Sequence, residues 1–381
     1  MSQAVSDTGE IATGTSASRS GDFGRFFLPG PTEVRPEILA EQLRAMIGHR
    51  GSAMEALLDR IAPGLQYVFR TERPVWIATS SATGFMEGAI RNAVKRSVLC
   101  LVNGAFSERF FRIARACGVS AQPLEVALGQ AHSPDMLAHA LADGDFDAVT
   151  VVHSETSTGA LNPIADLAGV CHQAGDVVLL VDSVTGVAGA PVESDAWALD
   201  FVLTGSQKSL ALPPGLAFGV AQDSVLERAR ERDRRGVYFD FLEFEKATAK
   251  KQTPNTPAVS LLFALAAQLD RIRSETIEGR WARHDAMAQR THGWVREMSE
   301  AGIALGVLAP EGARSPTVTC VTLPPGSSGP AVSAAAKARG WTIATGYGPL
   351  RESSIRIGHM GDHTVGELDE LLDVIAGILR P

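Results

Sequence analysis

The chain has 381 residues, of which 45% are hydrophobic and 20% charged, an ordinary composition for a globular enzyme with room for two domains. Its net charge of −8 and its pI of about 5.6 argue against a nucleic-acid or anionic-membrane partner. No apolar run approaches the roughly 20 residues that a membrane span needs.

The cysteines and the N-terminal stretch bear on the compartment. The four cysteines are scattered without paired spacing, at Cys100, Cys117, Cys171 and Cys320. This pattern favours reduced thiols in the cytoplasm over a disulfide framework or a zinc site, and we expect no metal. Residues 1–24 are rich in Ser, Gly, Ala and Thr and lack an apolar core, which predicts a disordered tail and not a signal peptide.

Helical and strand patterns alternate along the first two thirds of the chain. Helical periodicity occurs at residues 36–46, 54–69, 85–94, 164–174 and 259–272. Buried-strand patterns occur at residues 74–79, 97–102, 148–152, 175–182 and 199–203. Such alternation predicts an α/β domain with a mostly parallel sheet that is covered by helices on both faces. Basic and acidic residues are mixed at 228–235, which we interpret as a solvated helix face.

A smaller α+β unit is expected from about residue 275. Helical patterns at 280–300 and 332–339 are interleaved with strand patterns at 317–322, 341–344 and 354–357. Thr364 and Glu367 form a capping-box pattern ahead of a closing amphipathic helix. The expected division is therefore a tail at 1–24, a large domain at 25–274 and a small domain at 275–381.

The strongest chemical signal is Lys208. It follows the apolar run at 199–203 and precedes a Pro-Pro-Gly turn at 213–215. Burial lowers the pKa of a lysine and makes its amine nucleophilic, as a Schiff base with a carbonyl compound requires. The alternative is a lysine that follows a strand and points to water.

Asp182 ends another buried-strand pattern and gives Lys208 a chemical partner. A carboxylate and a lysine at neighbouring strand ends suit pyridoxal phosphate, since the lysine holds the aldehyde and the aspartate keeps the pyridine nitrogen protonated. Taken alone, an aspartate in this position is more commonly a turn or helix N-cap residue.

Six ordered stretches carry a resemblance to a known family. They are Val-Asp-Ser-Val at 181–184, Gly-Ser-Gln-Lys-Ser-Leu at 205–210, Leu-Pro-Gly-Pro-Thr at 28–32, Glu-Thr-Ser-Thr-Gly at 155–159, Thr-Pro-Asn-Thr-Pro at 253–257 and Arg-Ile-Gly-His-Met-Gly at 356–361. From about residue 26 onward the chain resembles the class V, fold-type I aminotransferases, in the alanine–glyoxylate, serine–pyruvate and serine–glyoxylate group.

The resemblance implies a fold and a reaction. The fold is that of a fold-type I pyridoxal phosphate transferase, with a mostly parallel seven-stranded sheet sandwiched by helices and a smaller α+β C-terminal domain. The reaction moves an amino group from a small L-amino acid (alanine, serine or aspartate) to a 2-oxo acid such as glyoxylate or pyruvate. The family is also expected to form a homodimer with shared active sites.

The resemblance assigns the cofactor phosphate to a strand–turn–helix corner. Ser81, Ala82 and Thr83 lie there and are assigned to the cofactor, since hydroxyls and the amide groups of a helix start can cradle an anion. Ala82 and Thr83 depart from the Gly-Ser-Gly-His that family members often carry. Gln207 contributes from beside the lysine, and Thr256 reaches in from the other chain of a dimer. A plain Ser/Thr cap and a plain loop are the alternatives.

The remaining site residues are assigned to the cofactor ring and the substrate. Phe106 and Val184 pack on opposite faces of the ring, and Thr156 hydrogen-bonds the phenolic oxygen. Arg356 offers a bidentate guanidinium to the α-carboxylate, and Gly30 belongs to the substrate site. Three of these residues have a structural alternative: core packing for Phe106, a turn cap for Thr156, and an ion pair with some acid for Arg356.

Four other functions compete with transamination. A desulfurase needs a mobile cysteine, whereas Cys320 lies in an alternating strand pattern typical of core; a kynureninase-like lyase is a further alternative. A pyridoxal phosphate-binding dimer without turnover is disfavoured by the presence of both Lys208 and Arg356. A nucleotide-binding protein is disfavoured because no phosphate-binding glycine motif occurs at residues 80–84. His153 is interpreted as structural.

Overall fold

The computed structural model describes residues 23–380, so that the expected tail at residues 1–24 falls almost wholly outside the described residues. The strands are β1 (Phe26–Phe27), β2 (Trp76–Thr79), β3 (Ser97–Val102), β4 (Ser120–Glu125), β5 (Ala148–Val152), β6 (Ser154–Glu155), β7 (Ala160–Leu161), β8 (Val178–Asp182), β9 (Phe201–Gly205), β10 (Leu216–Ala221), β11 (Gly306–Val307), β12 (Val318–Thr322), β13 (Thr342–Thr345) and β14 (Ser354–Gly358).

The helices are α1 (Pro36–Ala40), α2 (Ser52–Phe69), α3 (Ala82–Ala93), α4 (Ala105–Ala116), α5 (Pro134–Asp143), α6 (Ile164–Gln173), α7 (Asp223–Arg230), α8 (Phe241–Thr248), α9 (Val259–Glu275), α10 (Ile277–Glu300), α11 (Gly329–Ala338) and α12 (Val365–Leu379). Short 3₁₀ turns occur at Glu41–Leu43 and Gly348–Leu350. The capping box that starts α12 is confirmed, because Thr364 and Glu367 bond each other's backbone N–H groups.

The expected mostly parallel sheet is confirmed, with seven strands in the order β2-β10-β9-β8-β5-β3-β4. Only β10 runs antiparallel to its neighbours within the described sheet. The short segment that contains Pro213 and Gly215 joins β9 to β10, and a connection of this length has no room for a crossover helix. The chain therefore turns back directly after Lys208.

Alternating side chains of the central strands enter two cores on opposite faces of this sheet. Leu99 and Leu101 of β3 pack with α2, α6 and α9 in one cluster. Val98 and Cys100 pack with α3, α4, α7 and α8 in the other. This two-residue period on a doubly covered sheet explains why the central strands are apolar along their whole length.

A second sheet, in the order β1-β13-β14-β12-β11, carries a third core with α10, α11 and α12. Its first strand comes from the N-terminal end of the chain, since Phe26 pairs with Thr342. The chain passes from α9 to α10 at Thr276. We retain the division near residue 275 as a proposal, with β1 added to the C-terminal unit.

The helix expected at residues 36–46 is shorter than the periodicity suggested. The α-helix ends at Ala40, a 3₁₀ turn follows, and Arg44 is extended. Leu43 and Met46 are 87% and 71% exposed. A short amphipathic helix needs tertiary packing to persist, and these two side chains have none within the described residues.

The interpretation of residues 228–235 as a solvated helix face is wrong for Arg228. α7 ends at Arg230, and the Arg228 side chain is buried. Its guanidinium donates to the backbone oxygens of Ala93 and Asp147 and also reaches Asp176. Charge alternation in the sequence did not reveal this, because backbone carbonyls and not neighbouring acids supply most of the acceptors.

Within residues 23–380, no helix combines the length and the apolar character needed to cross a membrane. Across the same range, no group of three or more His, Cys, Asp and Glu side chains is placed to hold a metal ion.

Candidate active site

Ten of the twelve predicted site residues line one cavity of about 400 Å³ at the carboxyl ends of the parallel strands. They are Gly30, Ser81, Ala82, Thr83, Phe106, Thr156, Asp182, Val184, Gln207 and Lys208. Ligands bind at this edge in open α/β sheets because loops from several strands converge there. Arg356 and Thr256 are not part of the cavity lining and are described separately below.

Lys208 follows β9 in a turn and extends its amine into the cavity. Nζ donates a hydrogen bond to the backbone oxygen of Pro29 at 2.5 Å and lies 6.0 Å from the centre of the Phe106 ring. Burial, followed by the positive charge of Arg356, lowers the pKa of Lys208 from 10.5 to about 8. Its amine is therefore uncharged over a wider pH range than that of a solvated lysine.

Gly30 and Thr32 hold the loop at 29–32 against Lys208. Gly30 has a φ of +105°, and a Cβ there would overlap Lys208 Nζ. Thr32 donates from its hydroxyl to the backbone oxygen of Lys208 at 3.1 Å and from its N–H to that of Gln207 at 2.9 Å. Two sequence motifs about 170 residues apart therefore form one local structure, in which only glycine fits beside the amine.

Asp182 is buried at the end of β8 and has one unshared carboxylate oxygen. Oδ1 accepts a hydrogen bond from the Val184 N–H at 2.9 Å, whereas Oδ2 accepts none from residues 23–380. Burial, with the negative charge of Glu155, raises the pKa of Asp182 from 3.8 to about 7. A cationic group placed against Oδ2 would return the carboxyl to its ionised form.

His153 supports Asp182 from its backbone side. The His153 N–H donates to the Asp182 backbone oxygen at 2.8 Å, and Nδ1 lies 3.0 Å from Ser183 Oγ. Burial lowers the pKa of His153 to about 4, so the ring is neutral near neutral pH. These contacts fix the exit of β8 and favour the structural interpretation of this histidine.

The expected anion corner has the required local structure. Helix α3 begins at Ala82, and Ser81 at its N-cap makes no capping hydrogen bond with its side chain. The Ser81 hydroxyl is therefore not committed to the helix, which weakens the alternative of a simple cap. Ser81, Ala82 and Thr83 at the start of this helix line the cavity together with Gln207, and the N-terminus of a helix favours an anion.

Phe106 stands in the first turn of α4, and Glu155 fixes that turn. The buried Glu155 carboxylate accepts hydrogen bonds from the N–H groups of Phe106 (3.1 Å) and Ser107 (2.9 Å). It also accepts from the N–H and hydroxyl of Ser157. One carboxylate therefore positions Phe106 and Thr156, which both line the cavity. Its place at the N-terminus of α4 stabilises the negative charge of Glu155.

Arg356 lies in the middle of β14, as expected, and is oriented by backbone oxygens. Nε donates to Thr345 at 2.9 Å and Nη1 to Thr156 at 3.0 Å. The guanidinium carbon lies 5.4 Å from the centre of the Tyr347 ring. No acid within the described residues pairs with Arg356, so its charge is available to a ligand beside Thr156.

Thr256 is not brought to Lys208 within one chain. It is exposed and lines a separate small cavity together with Thr79 and Tyr238. A single chain thus leaves the predicted set of phosphate ligands incomplete.

Three residues that sequence reasoning did not assign contribute to the site. Arg109 lines the cavity one helical turn after Phe106, with its guanidinium carbon 5.0 Å from that ring's centre. The three-residue spacing on one helix was a usable signal. Glu155 is the first residue of the Glu-Thr-Ser-Thr-Gly motif at 155–159, which was a signal for the same region. Tyr347 had no signal, because its place depends on a loop between β13 and β14.

Comparison with known proteins identifies the family of this chain. The family model Aminotransferase class-V matches residues 48–346. An uncharacterized aminotransferase of Methanocaldococcus jannaschii is 39% identical over 88% of this chain and 87% of its own. A serine–glyoxylate aminotransferase of Methylorubrum extorquens is 30% identical over 95% and 91%. The crystal structure of an alanine–glyoxylate aminotransferase from Nostoc sp. superposes with a TM-score of 0.87, at 29% identity, covering 93% of this chain and 95% of its own.

The expected fold-type I architecture is confirmed by the superposition on this aminotransferase structure. With a family model that spans most of the chain and relatives that match nearly all of it, the chain belongs to the class-V aminotransferases and is an aminotransferase that uses pyridoxal phosphate.

Proposed function

We propose that Lys208, Asp182 and Arg356 carry out transamination between a small L-amino acid and a 2-oxo acid. The observation that carries the proposal is the pairing, in one cavity, of a lysine with a lowered pKa and a buried carboxylate with one unshared oxygen. Perturbed titratable groups that face each other in a cavity are typical of catalytic sites.

The cavity fits pyridoxal phosphate at both ends. Asp182 Oδ2 is available for a protonated ring nitrogen, whose positive charge would offset the burial that raises the pKa of Asp182. At the other end, the start of α3 with Ser81, Thr83 and Gln207 suits a phosphate. Phe106 and Val184 would hold the two faces of the ring, and Thr156 its phenolic oxygen.

The chemistry divides between the cofactor and this chain. Bound pyridoxal phosphate supplies a carbonyl that takes up the amino group and a ring that accepts electrons from the substrate Cα. Lys208 would hold the cofactor before substrate arrives, and its amine would then remove the proton from the substrate Cα and give it back as general acid. Arg356 would orient the α-carboxylate of the substrate. The Asp182 carboxylate would keep the nitrogen of the cofactor ring protonated.

Arg356→Lys is expected to lower kcat/KM roughly 10–100-fold for donors and acceptors alike, because a charge-assisted hydrogen bond is replaced by a point charge. The loss should appear mainly in KM, while bound cofactor per chain stays unchanged. Arg351→Lys is the matched control, because Arg351 is exposed and lies just before the strand that carries Arg356. Steady-state kinetics with an unchanged KM for Arg356→Lys would contradict the carboxylate role.

Alanine, serine and aspartate are the proposed donors, with glyoxylate or pyruvate as acceptor. The support is the activity for which two relatives are named, a serine–glyoxylate and an alanine–glyoxylate aminotransferase. A single-turnover panel tests this directly: each donor is mixed with cofactor-loaded protein in the absence of an acceptor, and one equivalent of 2-oxo acid per chain is expected from a true donor. A desulfurase reaction is not favoured, because Cys320 is buried in β12 and its thiol donates a hydrogen bond to the Ser354 hydroxyl.

We also propose that two chains pair and complete each other's sites. Large apolar side chains are exposed at Leu43, Met46 and Val237, the last at 90%. Isolated apolar residues are common on protein surfaces, but side chains exposed this fully suit a partner surface. Thr256 is exposed as well. A second copy that covers these residues would deliver its Thr256 to the phosphate end of the cavity.

Mixing two inactive variants tests this arrangement. A chain with Lys208→Ala and a chain with Thr256→Arg are each expected to be inactive alone, the second because a bulky side chain replaces a phosphate ligand. When unfolded together and refolded, a mixed dimer regains one site with both native residues. About a quarter of wild-type activity is expected for random pairing of equal amounts.

The control carries both substitutions in the same chain and is mixed with a wild-type chain of equal amount. Only dimers of two wild-type chains should then be active, because a mixed dimer has no site with both native residues. If the two single variants recover no activity on mixing, Thr256 does not act across a dimer.

A cytoplasmic location is part of the same proposal. All four cysteines are free, as is typical of proteins in reducing compartments.

A further inference from the structure

Resting on the proposed function, we propose that Tyr347 limits the size of the donor side chain by closing the active-site cavity against a second cavity beside it. The selection of small donors would then depend on one aromatic ring, in a loop that lies outside the residues assigned to the cofactor.

The position of Tyr347 relative to the substrate follows from its two neighbours. Its ring lies 5.7 Å from the centre of the Phe106 ring and 5.4 Å from the guanidinium carbon of Arg356. Phe106 marks the proposed cofactor ring, and Arg356 the proposed α-carboxylate. A substrate held between them has its Cα beside Tyr347, so the ring confronts whatever extends from Cα away from the cofactor.

Behind this ring lies a second cavity of about 340 Å³. Its lining includes Tyr347, Ala105, Glu108, Glu125, Ser157 and Leu350. The volume is within the range of natural ligand pockets. Tyr347 lines this second cavity, whereas its neighbour Phe106 lines the active-site cavity, so a long donor side chain that extends from one space towards the other would have to displace the Tyr347 ring.

The loop that carries Tyr347 is held by its backbone and not by the tyrosine side chain. A Cβ at Gly346 would overlap the backbone oxygen of Leu350, and Gly348 has a φ of +55° at the start of a 3₁₀ turn. The Tyr347 hydroxyl makes no hydrogen bond with residues 23–380, and the side chain is 38% exposed. Removing the ring should therefore open the partition without unfolding the loop.

The lining of the second cavity also predicts which long side chains would enter. Glu108 and Glu125 contribute two carboxylates and no basic side chain accompanies them in the lining. Uncharged side chains are admitted once the ring is gone, whereas a terminal carboxylate is repelled.

The test compares Tyr347→Ala with Tyr347→Phe on L-alanine, L-norvaline, L-norleucine and L-2-aminoadipate. In Tyr347→Ala the ratio of kcat/KM for norleucine to that for alanine should rise at least about tenfold, the usual value of accommodating added methylenes in an apolar pocket. Aminoadipate should stay excluded, and Tyr347→Phe should keep the wild-type ratio. Leu350→Ala, which enlarges the second cavity without touching the partition, is the matched control. Tyr347 also packs on Arg356, so its removal could lower kcat/KM for all donors. Such a shared loss cancels in the ratio of norleucine to alanine.

A second readout requires no turnover. Propionate and hexanoate are carboxylates without an amino group, and calorimetry measures their binding to the cofactor-loaded protein. Hexanoate should bind Tyr347→Ala at least about tenfold more tightly than wild type, while propionate changes by less than about threefold.

An unchanged norleucine-to-alanine ratio and unchanged hexanoate affinity in Tyr347→Ala, with alanine still turned over, would overturn the assignment of Tyr347. A different pattern marks failure of the proposed function. In that case wild-type protein turns over none of the donors, and the hexanoate measurement alone decides whether Tyr347 closes the second cavity.

Discussion

Replacing Lys208 with alanine is expected to abolish amino-group transfer. The lost proton transfers alone cost about 10²–10⁴-fold in rate, and the lost attachment of the cofactor adds to this. The variant should still bind pyridoxal phosphate, because the ligands proposed for its phosphate and ring nitrogen are unchanged. Stopped-flow measurement of 2-oxo acid release with each donor, alongside the amount of cofactor bound per chain, tests both parts.

Lys246→Ala is the matched control, since the Lys246 side chain is 63% exposed and pairs with Glu243 on the surface. It should retain wild-type turnover. A Lys208→Ala protein that transaminates at more than about 1% of the wild-type rate would show that another amine does the work.

Replacing Asp182 with asparagine is expected to cost about 10²–10³-fold in kcat, the range found when one fixed electrostatic partner is removed from a buried site. Asparagine preserves the shape and the acceptor for the Val184 N–H but not the negative charge. Cofactor affinity should fall as well, since the ring nitrogen loses its ionic partner. Kinetics at saturating cofactor separates the two losses. A variant with wild-type kcat would remove Asp182 from the mechanism.

The same variant gives a pH signature in the cofactor-free protein. The pKa of Asp182 is raised from 3.8 to about 7 by burial and by Glu155, so folding favours the protonated carboxyl. Its stabilising contribution is therefore complete below pH 4 and is lost as pH rises through 7. Relative to Asp182→Asn, the wild-type free energy of unfolding should fall by at most about 4 kcal/mol between these limits and stay level above them.

Urea unfolding of both cofactor-free proteins between pH 4.5 and 8 measures this difference. Using the difference cancels the buried histidines, whose lowered pKa values give the opposite slope in both proteins. A difference that does not vary with pH would mean that Asp182 is ionised throughout. Added pyridoxal phosphate should remove the dependence, because it supplies the missing cation.

The central sheet was predictable because its strands are buried on both faces. β3 and β5 were placed to the residue, since continuous apolar runs bounded by polar turns leave little freedom in their limits. The helix predicted at residues 36–46 was longer than α1, because periodicity alone does not reveal that no core lies against Leu43 and Met46. Arg228 was misjudged for a related reason, as its backbone acceptors come from three distant segments.

The cavity was predictable to the extent that motifs mark strand ends. Asp182 and Lys208 follow neighbouring parallel strands, so the fold places them at one edge. Tyr347 was not predictable, because its position depends on how the second sheet packs beside the first and no local pattern encodes that. Thr256 illustrates a different limit, since a site shared between two chains cannot be completed by the geometry of one.

Chemical trapping at Lys208 tests the central claim most directly. The purified protein is incubated with pyridoxal phosphate and treated with sodium borohydride, which reduces the carbon–nitrogen bond that the cofactor carbonyl forms with a lysine amine. Peptide mass mapping should then find one added pyridoxyl phosphate group per chain, on Lys208. Prior incubation with a true donor should prevent the labelling, because the cofactor then carries the donor's amino group and is no longer joined to the lysine. A label on another lysine, or none at all, would contradict the account.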